Sequence, residues 1–435
     1  MKRNSYTSLW ILFLFLLPFF LLNPSKSIAG MAVSPIQQWV EVEPGRQTTF
    51  TISVTNTKRS PDAKPCSVRI ELLDFTVTLE GGLKFGAEYK HERSAITMID
   101  VPQKEFVLEP GESKKVEAKV SAPWAADGDY WAAVMVSLVN PDKKDSGVTV
   151  NLRTASGIFI RVARRNYMTK GKIVDVNAAL PEFGLGQTGA GDVNPIESLE
   201  KSEEQQVFKI TADLENEGLV AFKVNGKAML YAGGWRRLAS IPMFTGRRRI
   251  FPTHSRRFTG VLAEPLPEGK YKLRMFFYPE SKYSRTITKD LDFTVDKELA
   301  GKWSKSFIRE TGKSLEIEPQ ELKMELTAGR FTTKQLRVVS NSLNTISVKC
   351  WLEADEKLNN WLALKSDEIV LARSIPRSIV CMARIPQDAK DGEYCGKVQL
   401  KVERSGLFSK DSDKAETYEI PVSISIGKQE KYVAK

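Results

Sequence analysis

Histidine is nearly missing from this 435-residue chain, which has only His91 and His254, far apart. That excludes most nucleophile–histidine triads, most zinc sites and most histidine acid–base pairs. Cysteine is scarce too, with four residues, so apolar burial rather than a disulfide framework must hold the chain together. No GxSxG, HExxH, Walker loop or CxxC occurs. Gly184-Leu-Gly186-Gln-Thr-Gly189 matches GxGxxG, but it has Pro181 before it and Gly191 to Pro195 after it, not the strand and helix a dinucleotide needs. The stretch 181–206 reads as a loop insertion. His91-Glu92 stands in a charged hairpin and reads as solvated. Together these gaps argue against an enzyme, a cofactor or a metal.

Long hydrophobic runs are limited to one, Leu9 to Leu22, behind Lys2 and Arg3. At about 14 residues it is short of the roughly 20 a spanning helix needs. Asn23-Pro24-Ser25-Lys26 then turns polar, and Ser27-Ile28-Ala29 supplies small residues for cleavage. Residues 1–29 therefore read as a cleaved signal peptide, and the mature chain as exported, to the periplasm or cell surface of a bacterium, without a transmembrane anchor. Removing Lys2, Arg3 and Lys26 from 64 basic residues leaves 61 against 53 acidic, about +8. In an envelope compartment that mild excess favours an acidic partner, a membrane surface or an anionic cell-wall glycan, not nucleic acid.

What is present is a unit that recurs. Pro123 to Tyr130 contains Asp127-Gly128-Asp129-Tyr130; Leu266 to Tyr271 contains Glu268-Gly269-Lys270-Tyr271; Pro386 to Tyr394 contains Asp391-Gly392-Glu393-Tyr394. Each leads into a strand. The glycine takes a turn conformation other residues resist, and the tyrosine packs its ring inward while its hydroxyl holds nearby backbone. In immunoglobulin-like sandwiches such a corner opens strand F. Upstream lie alternating strands that end at asparagine: Thr49 to Asn56, Phe208 to Asn216 and Leu336 to Asn341. Pro44-Gly45, Pro110-Gly111 and Ala328-Gly329 mark further turns.

The expected fold is all-β, three immunoglobulin-like β-sandwich domains in tandem after the signal peptide. Domain 1 spans 30–168, domain 2 spans 172–296 with the insertion 181–206, and domain 3 spans 314–426. Residues 297–313 form a linker that can hold a short helix, and 427–435 a basic tail. By alternation Cys350 and Cys381 face inward, which makes them the preferred disulfide, with Cys395 on the next strand as a competitor. Trp131 points opposite Tyr130, to the outside or under a partner domain.

Two basic regions are candidate binding sites. From Gly218 to Ala263 no acidic residue occurs, while Arg236, Arg237, Arg247, Arg248, Arg249, Arg256 and Arg257 do, with Tyr231, Trp235, Phe244, Phe251 and Phe258 interleaved. Arginine forks grip carboxylate and phosphate, and exposed rings stack on sugars, so this is a candidate anionic-ligand patch. The plainer alternative places the rings in a core and the arginines on solvated strands. The second region is the end of domain 1: Ile158, Ile160 and Val162 alternate with Arg161 and run into Arg164 and Arg165, a candidate partner-binding strand.

Val42-Glu-Pro44-Gly45, the strand to Asn56, Phe106 to Gly111 and Asp127 to Trp131 resemble the first domain of the WxL-interacting cell-surface proteins, and Phe208 to Asn216 with Leu266 to Tyr271 their second. The likeness implies adhesion or scaffolding through binding of peptidoglycan or a surface partner. Domain 1 is also similar to the N-terminal domain of periplasmic pilus chaperones, the PapD-like proteins, whose last strand looks like Ile158 to Arg165. That likeness implies donor-strand support of pilin-like subunits. The leading expectation is a non-enzymatic binder of an envelope or surface partner; the alternatives are a pilus-assembly chaperone using Ile158–Val162 and a carbohydrate-binding accessory module.

Overall fold

The computed structural model describes residues 30–58, 63–139, 152–164, 166–182, 207–280, 284–307, 313–403 and 416–427. The expected signal peptide, the GxGxxG stretch, most of the insertion 181–206, Arg165 and nearly all of the basic tail lie outside them. Two compact units are present, drawn from Met1–Thr76 with Lys84–Asn166 and from Val77–Leu83 with Tyr167–Lys435. The protein is all-β, built of immunoglobulin-like sandwiches with three separate apolar cores. Among the described residues no helix is long and apolar enough to cross a membrane.

From Met31 to Val162 the strands are β1 (Met31–Ser34), β2 (Gln37–Val42), β3 (Gln47–Asn56), β4 (Cys66–Leu73), β5 (Phe75–Val77), β6 (Leu83–Phe85), β7 (Ile99–Asp100), β8 (Glu105–Leu108), β9 (Ser113–Ser121), β10 (Gly128–Val139) and β11 (Arg153–Val162). One sheet runs β1-β3-β9-β7, the other β2-β11-β10-β4-β8. Alternation makes the core: Phe50, Ile52 and Val54 face Val134, Ile158 and Ile160 inside the sandwich. Each such side chain contributes about 1.5–3 kcal/mol on full burial. The first edge strand changes sheets at Ser34–Pro35, so that β1 pairs antiparallel with β3 and β2 pairs parallel with β11. The Pro44-Gly45 turn holds Gly45 at φ 74°, where a Cβ would sit 2.3 Å from the Trp124 ring.

The second sandwich comprises β12 (Gly171–Ala179), β13 (Phe208–Asn216), β14 (Phe222–Ala232), β15 (Arg236–Met243), β16 (Arg249–Ile250), β17 (Ser255–Leu262), β18 (Gly269–Pro279) and β19 (Ile287–Val295). Its sheets are β12-β13-β17 and β15-β14-β18-β19, with β16 also on β14. Helix α1 (Lys297–Ser306) follows, its N-terminus capped by Asp296, which accepts from Leu299 N at 2.8 Å. The helix is more than a linker. Trp303 is buried in the second core, and its Nε1 donates to Ala263 O at 3.1 Å.

The third sandwich holds β20 (Leu315–Glu318), β21 (Leu322–Leu326), β22 (Phe331–Ser340), β23 (Ile346–Ala354), α2 (Glu356–Trp361), β24 (Leu362–Leu364), β25 (Glu368–Leu371), β26 (Arg377–Arg384), β27 (Gly392–Glu403) and β28 (Glu416–Ile426). Sheets β20-β22-β26-β24 and β21-β28-β27-β23-β25 repeat the first sandwich strand for strand, including the parallel β21–β28 pair. It meets the second sandwich through Val261 N, which donates to Thr345 Oγ1 at 2.9 Å, and Ala263 N, which donates to Asn344 Oδ1 at 2.8 Å.

Cys350 and Cys381 do face inward, but both are free thiols, so the expected disulfide is not formed. They stand on β23 and β26, in opposite sheets, and alternation reports only the face, not whether two sulfurs meet. Burial pushes the Cys350 thiol up to about 12, with Asp367 and Glu368 adding to it, and the Cys381 thiol up to about 11. Cys395 is exposed.

Candidate functional site

The three corner tyrosines occupy one structural position. Tyr130, Tyr271 and Tyr394 each stand third in the strand that pairs with the last strand of its sandwich, opposite Ile160, Phe293 and Ile424. The hydroxyls of Tyr271 and Tyr394 donate to Pro267 O at 2.6 Å and Lys390 O at 3.0 Å, and that of Tyr130 accepts from Asp127 N at 3.4 Å. Of the preceding glycines, Gly128 has the clearest need, at φ 84°. Asn56 and Asn216 end their strands buried, donating to Leu108 O and to Val220 O and Ile250 O. Asn341 departs from this pattern. It is exposed, and buried Ser340 Oγ accepts from Ser342 N at 3.2 Å.

The candidate strand at the end of the first sandwich is placed differently from its expected role. Ile158, Ile160 and Val162 are fully buried and belong to the core, because alternation that looks like a docking stripe is also how a sandwich strand fills its interior. Their backbone is bracketed as well, by β10 on one side and β2 on the other. Arg161 is not an open anion receptor: both of its forks bind the buried Asp129 carboxylate at 2.8 Å, and its Cζ lies 5.7 Å from the Trp39 ring centroid. A carboxylate that deep needs such a partner. Arg164 donates to Trp124 O.

The available part of β11 lies four residues earlier. The parallel ladder with β2 begins at Gly157, whose N–H donates to Ile36 O at 2.8 Å, whereas the antiparallel ladder with β10 continues back to Arg153. Strand alternation then turns the N–H and C=O of Arg153 and Ala155 toward the side where β2 has ended. Among the described residues no strand pairs with them there. Ser156 closes the inner end of this edge, its Oγ donating to Pro35 O at 2.6 Å. The sequence carries no signal for the feature, since it depends on where one strand stops relative to another.

The outer face of the same sheet is covered by its own chain, which overturns two expectations. Trp131 is fully buried, with Nε1 donating to Phe75 O at 3.1 Å and the ring stacked on His91, centroids 4.3 Å apart. His91 is therefore not solvated; its Nε2 lies 3.7 Å from the Asp74 carboxylate. Phe159 joins this outer cluster, edge-on to Phe75 and stacked on Trp39 at 4.8 Å. Parity put Trp131 on the correct face, but the segment after Phe75 folds over that face.

The basic stretch of the second sandwich does not converge on one surface. Arg256 is fully buried and donates to Thr78 O and Arg249 O; burial, with Arg247 nearby, lowers it to about 10. Arg247 Nε donates to Gly81 O at 2.9 Å. Arg257 clasps Asp213 with both forks at 2.7 Å, and that hydrogen bonding raises its pKa. Arg248 reaches Asn225 and Glu280. Arg237 and Arg249 also have partners. Arg236 stays exposed on β15. Phe244, Phe251 and Phe258 are buried, as the plainer alternative has it, whereas Trp235 is exposed.

Comparison with known proteins gives no matching family model and no matching curated sequence. Among solved structures, the chain is similar to the chaperone–tip adhesin complex of CFA/I fimbriae, at 12% identity over 61% of this chain and 98% of that one, TM-score 0.32. It is also similar to the E. coli chaperone DraB, at 16% identity over 61% and 95%, TM-score 0.27. A third is the Salmonella enterica SafA pilin in complex with the SafB chaperone, at 11% identity over 62% and 99%, TM-score 0.28.

Proposed function

We propose that this is a non-enzymatic exported protein that binds an envelope or surface protein by taking an extended segment of it as an extra strand beside Arg153–Ser156. The observation that carries the reading is the overrun of β11 past β2, which leaves the N–H and C=O of Arg153 and Ala155 without a strand paired to them on that side among the described residues. Backbone pairing of this kind supplies affinity without a preformed pocket, and neighbouring side chains supply choice. The expected partner is a subunit with an unpaired strand, pilin-like in that respect. The mode differs from the donor strand expected at Ile158–Val162, whose residues are spent on the core.

The test is capture from envelope extract with the mature protein and with Ala155→Pro. Proline removes the outward N–H and is tolerated at an edge, so the thermal midpoint should hold within about 2 °C while capture falls at least tenfold. Mass spectrometry should identify a protein rich in strands. Equal capture by the variant, or recovery of glycan alone, contradicts the reading.

A further inference from the structure

The second sandwich carries a cleft of about 330 Å³ at the end of its five-stranded sheet, lined by Tyr231, Trp235, Lys270, Lys272, Asp292 and Thr294. That is the low end of the roughly 300–1,000 Å³ typical of small-molecule sites. Trp235 is 52% exposed at one wall. It sits at φ 63°, a backbone region that a bulky residue seldom enters unless something fixes it there. Three side chains on the outer face of the sheet do so. Arg274 Cζ is 4.6 Å and Lys272 Nζ 5.3 Å from the ring centroid, and Tyr231 meets the ring edge-on at 5.3 Å. The indole is thus a rigid platform beside a polar cleft.

The cleft's charges select the kind of ligand. Arg274 is committed to Asp290, at 2.6 and 2.7 Å, and the hydrogen bond from Arg274 holds that carboxyl below its usual range. Lys272 is bound to Asp292 at 3.0 Å. Lys270 lines the same cleft with no carboxylate in ion-pair reach among the described residues, so the lining keeps a positive excess. An aromatic plane takes the C–H face of a sugar ring, Asp292, Thr294 and Tyr231 offer partners for hydroxyls, and Lys270 takes a carboxylate. We infer that this cleft is a binding site for an acidic saccharide, one whose rings carry a uronic-acid carboxylate. The inference concerns a different sandwich from the strand edge and does not depend on it.

Isothermal titration with a trimer of galacturonic acid tests it on the full mature chain. Binding is expected with a dissociation constant on the order of 0.1–1 mM. Trp235→Gly removes the platform and suits φ 63°, so the fold should persist while affinity falls at least tenfold. Lys270→Ala should weaken the acidic trimer about threefold to fivefold and leave a neutral galactose trimer, itself bound at least fivefold more weakly, unchanged. Absence of binding, unchanged binding by Trp235→Gly, equal affinity for the neutral trimer, or preference for an oligonucleotide overturns the inference.

Discussion

The first and third sandwiches have the same strand order in both sheets, yet they finish their last strands in opposite ways. Each last strand overruns its parallel neighbour. In the first, Gly157 continues the ladder by donating to Ile36 O, and the overrun from Arg153 to Ser156 contains no proline. In the third, the corresponding residue is Pro421, which has no N–H, and the ladder stops at Val422. The overrun beyond it carries Glu419, paired with Lys397 at 2.7 Å, and Glu416, which accepts from Ser314 N at 3.1 Å. The second sandwich's last strand, β19, is an edge studded with Lys289, Asp290 and Asp292. Proline and charge are the standard ways to keep an edge from pairing. Among the described residues, proline at Pro421 and charge along β19 thus mark the last strands of the third and second sandwiches, whereas the overrun from Arg153 to Ser156 carries one charge, Arg153, held by Glu71 at 3.1 Å.

The largest effect that would sharpen the contrast lies on the sheet faces. Trp131→Ala should cost about 3–5 kcal/mol in urea denaturation, because it empties a fully buried site under the Phe75 segment. Trp351, on the matching sheet of the third sandwich, is 42% exposed, and Trp351→Ala should stay within about 0.5 kcal/mol. Similar losses at both positions would show that the two outer faces do not differ. Next is the blocked edge itself. Glu419→Thr with Pro421→Val should unblock it and produce concentration-dependent association in sedimentation velocity, and a variant that sediments as the parent does would remove proline and charge as the reason the edge is silent.

Smaller effects separate the corners and the titrating groups. Tyr271→Phe leaves Pro267 O without its 2.6 Å donor and should cost about 1 kcal/mol, whereas Tyr130→Phe, with a 3.4 Å contact, should cost about half that or less. Equal costs would argue that the hydroxyls are incidental. His254 has its pKa lowered by burial, so the folded state resists protonation relative to the unfolded chain. Its contribution is full above the unfolded value near 6.5 and is lost as pH falls through and below it. The second sandwich should therefore lose stability from pH 7.5 to 5.5 by hydrogen exchange, and His254→Gln should flatten that slope. The third sandwich has no histidine and provides the internal reference.

Turns and alternation made most of the architecture legible. Asp127-Gly128, Glu268-Gly269 and Asp391-Gly392 mark real strand starts, and Thr49 to Asn56 alternates as a half-buried strand must. Alternation assigns a side chain to a face, but not what lies over that face. Trp131 was hidden for this reason, by a segment that reads as a charged hairpin. The same limit made Ile158 to Val162 look like a docking stripe and Cys350 with Cys381 look like a bridge. Arg256 was misleading because carbonyl oxygens, which no composition reveals, accept from both of its terminal nitrogens. The open edge and the Trp235 cleft are assembled from strands distant in sequence, so neither has a local signature.

The most direct measurement is backbone amide exchange of the protein alone and bound to the partner it co-purifies with, read at Arg153 and Ala155. Strand addition predicts slow exchange at both amides on binding, with the amide of Glu419 in the third sandwich unaffected. A complex that forms while Arg153 and Ala155 exchange as fast as in the free protein would contradict the account.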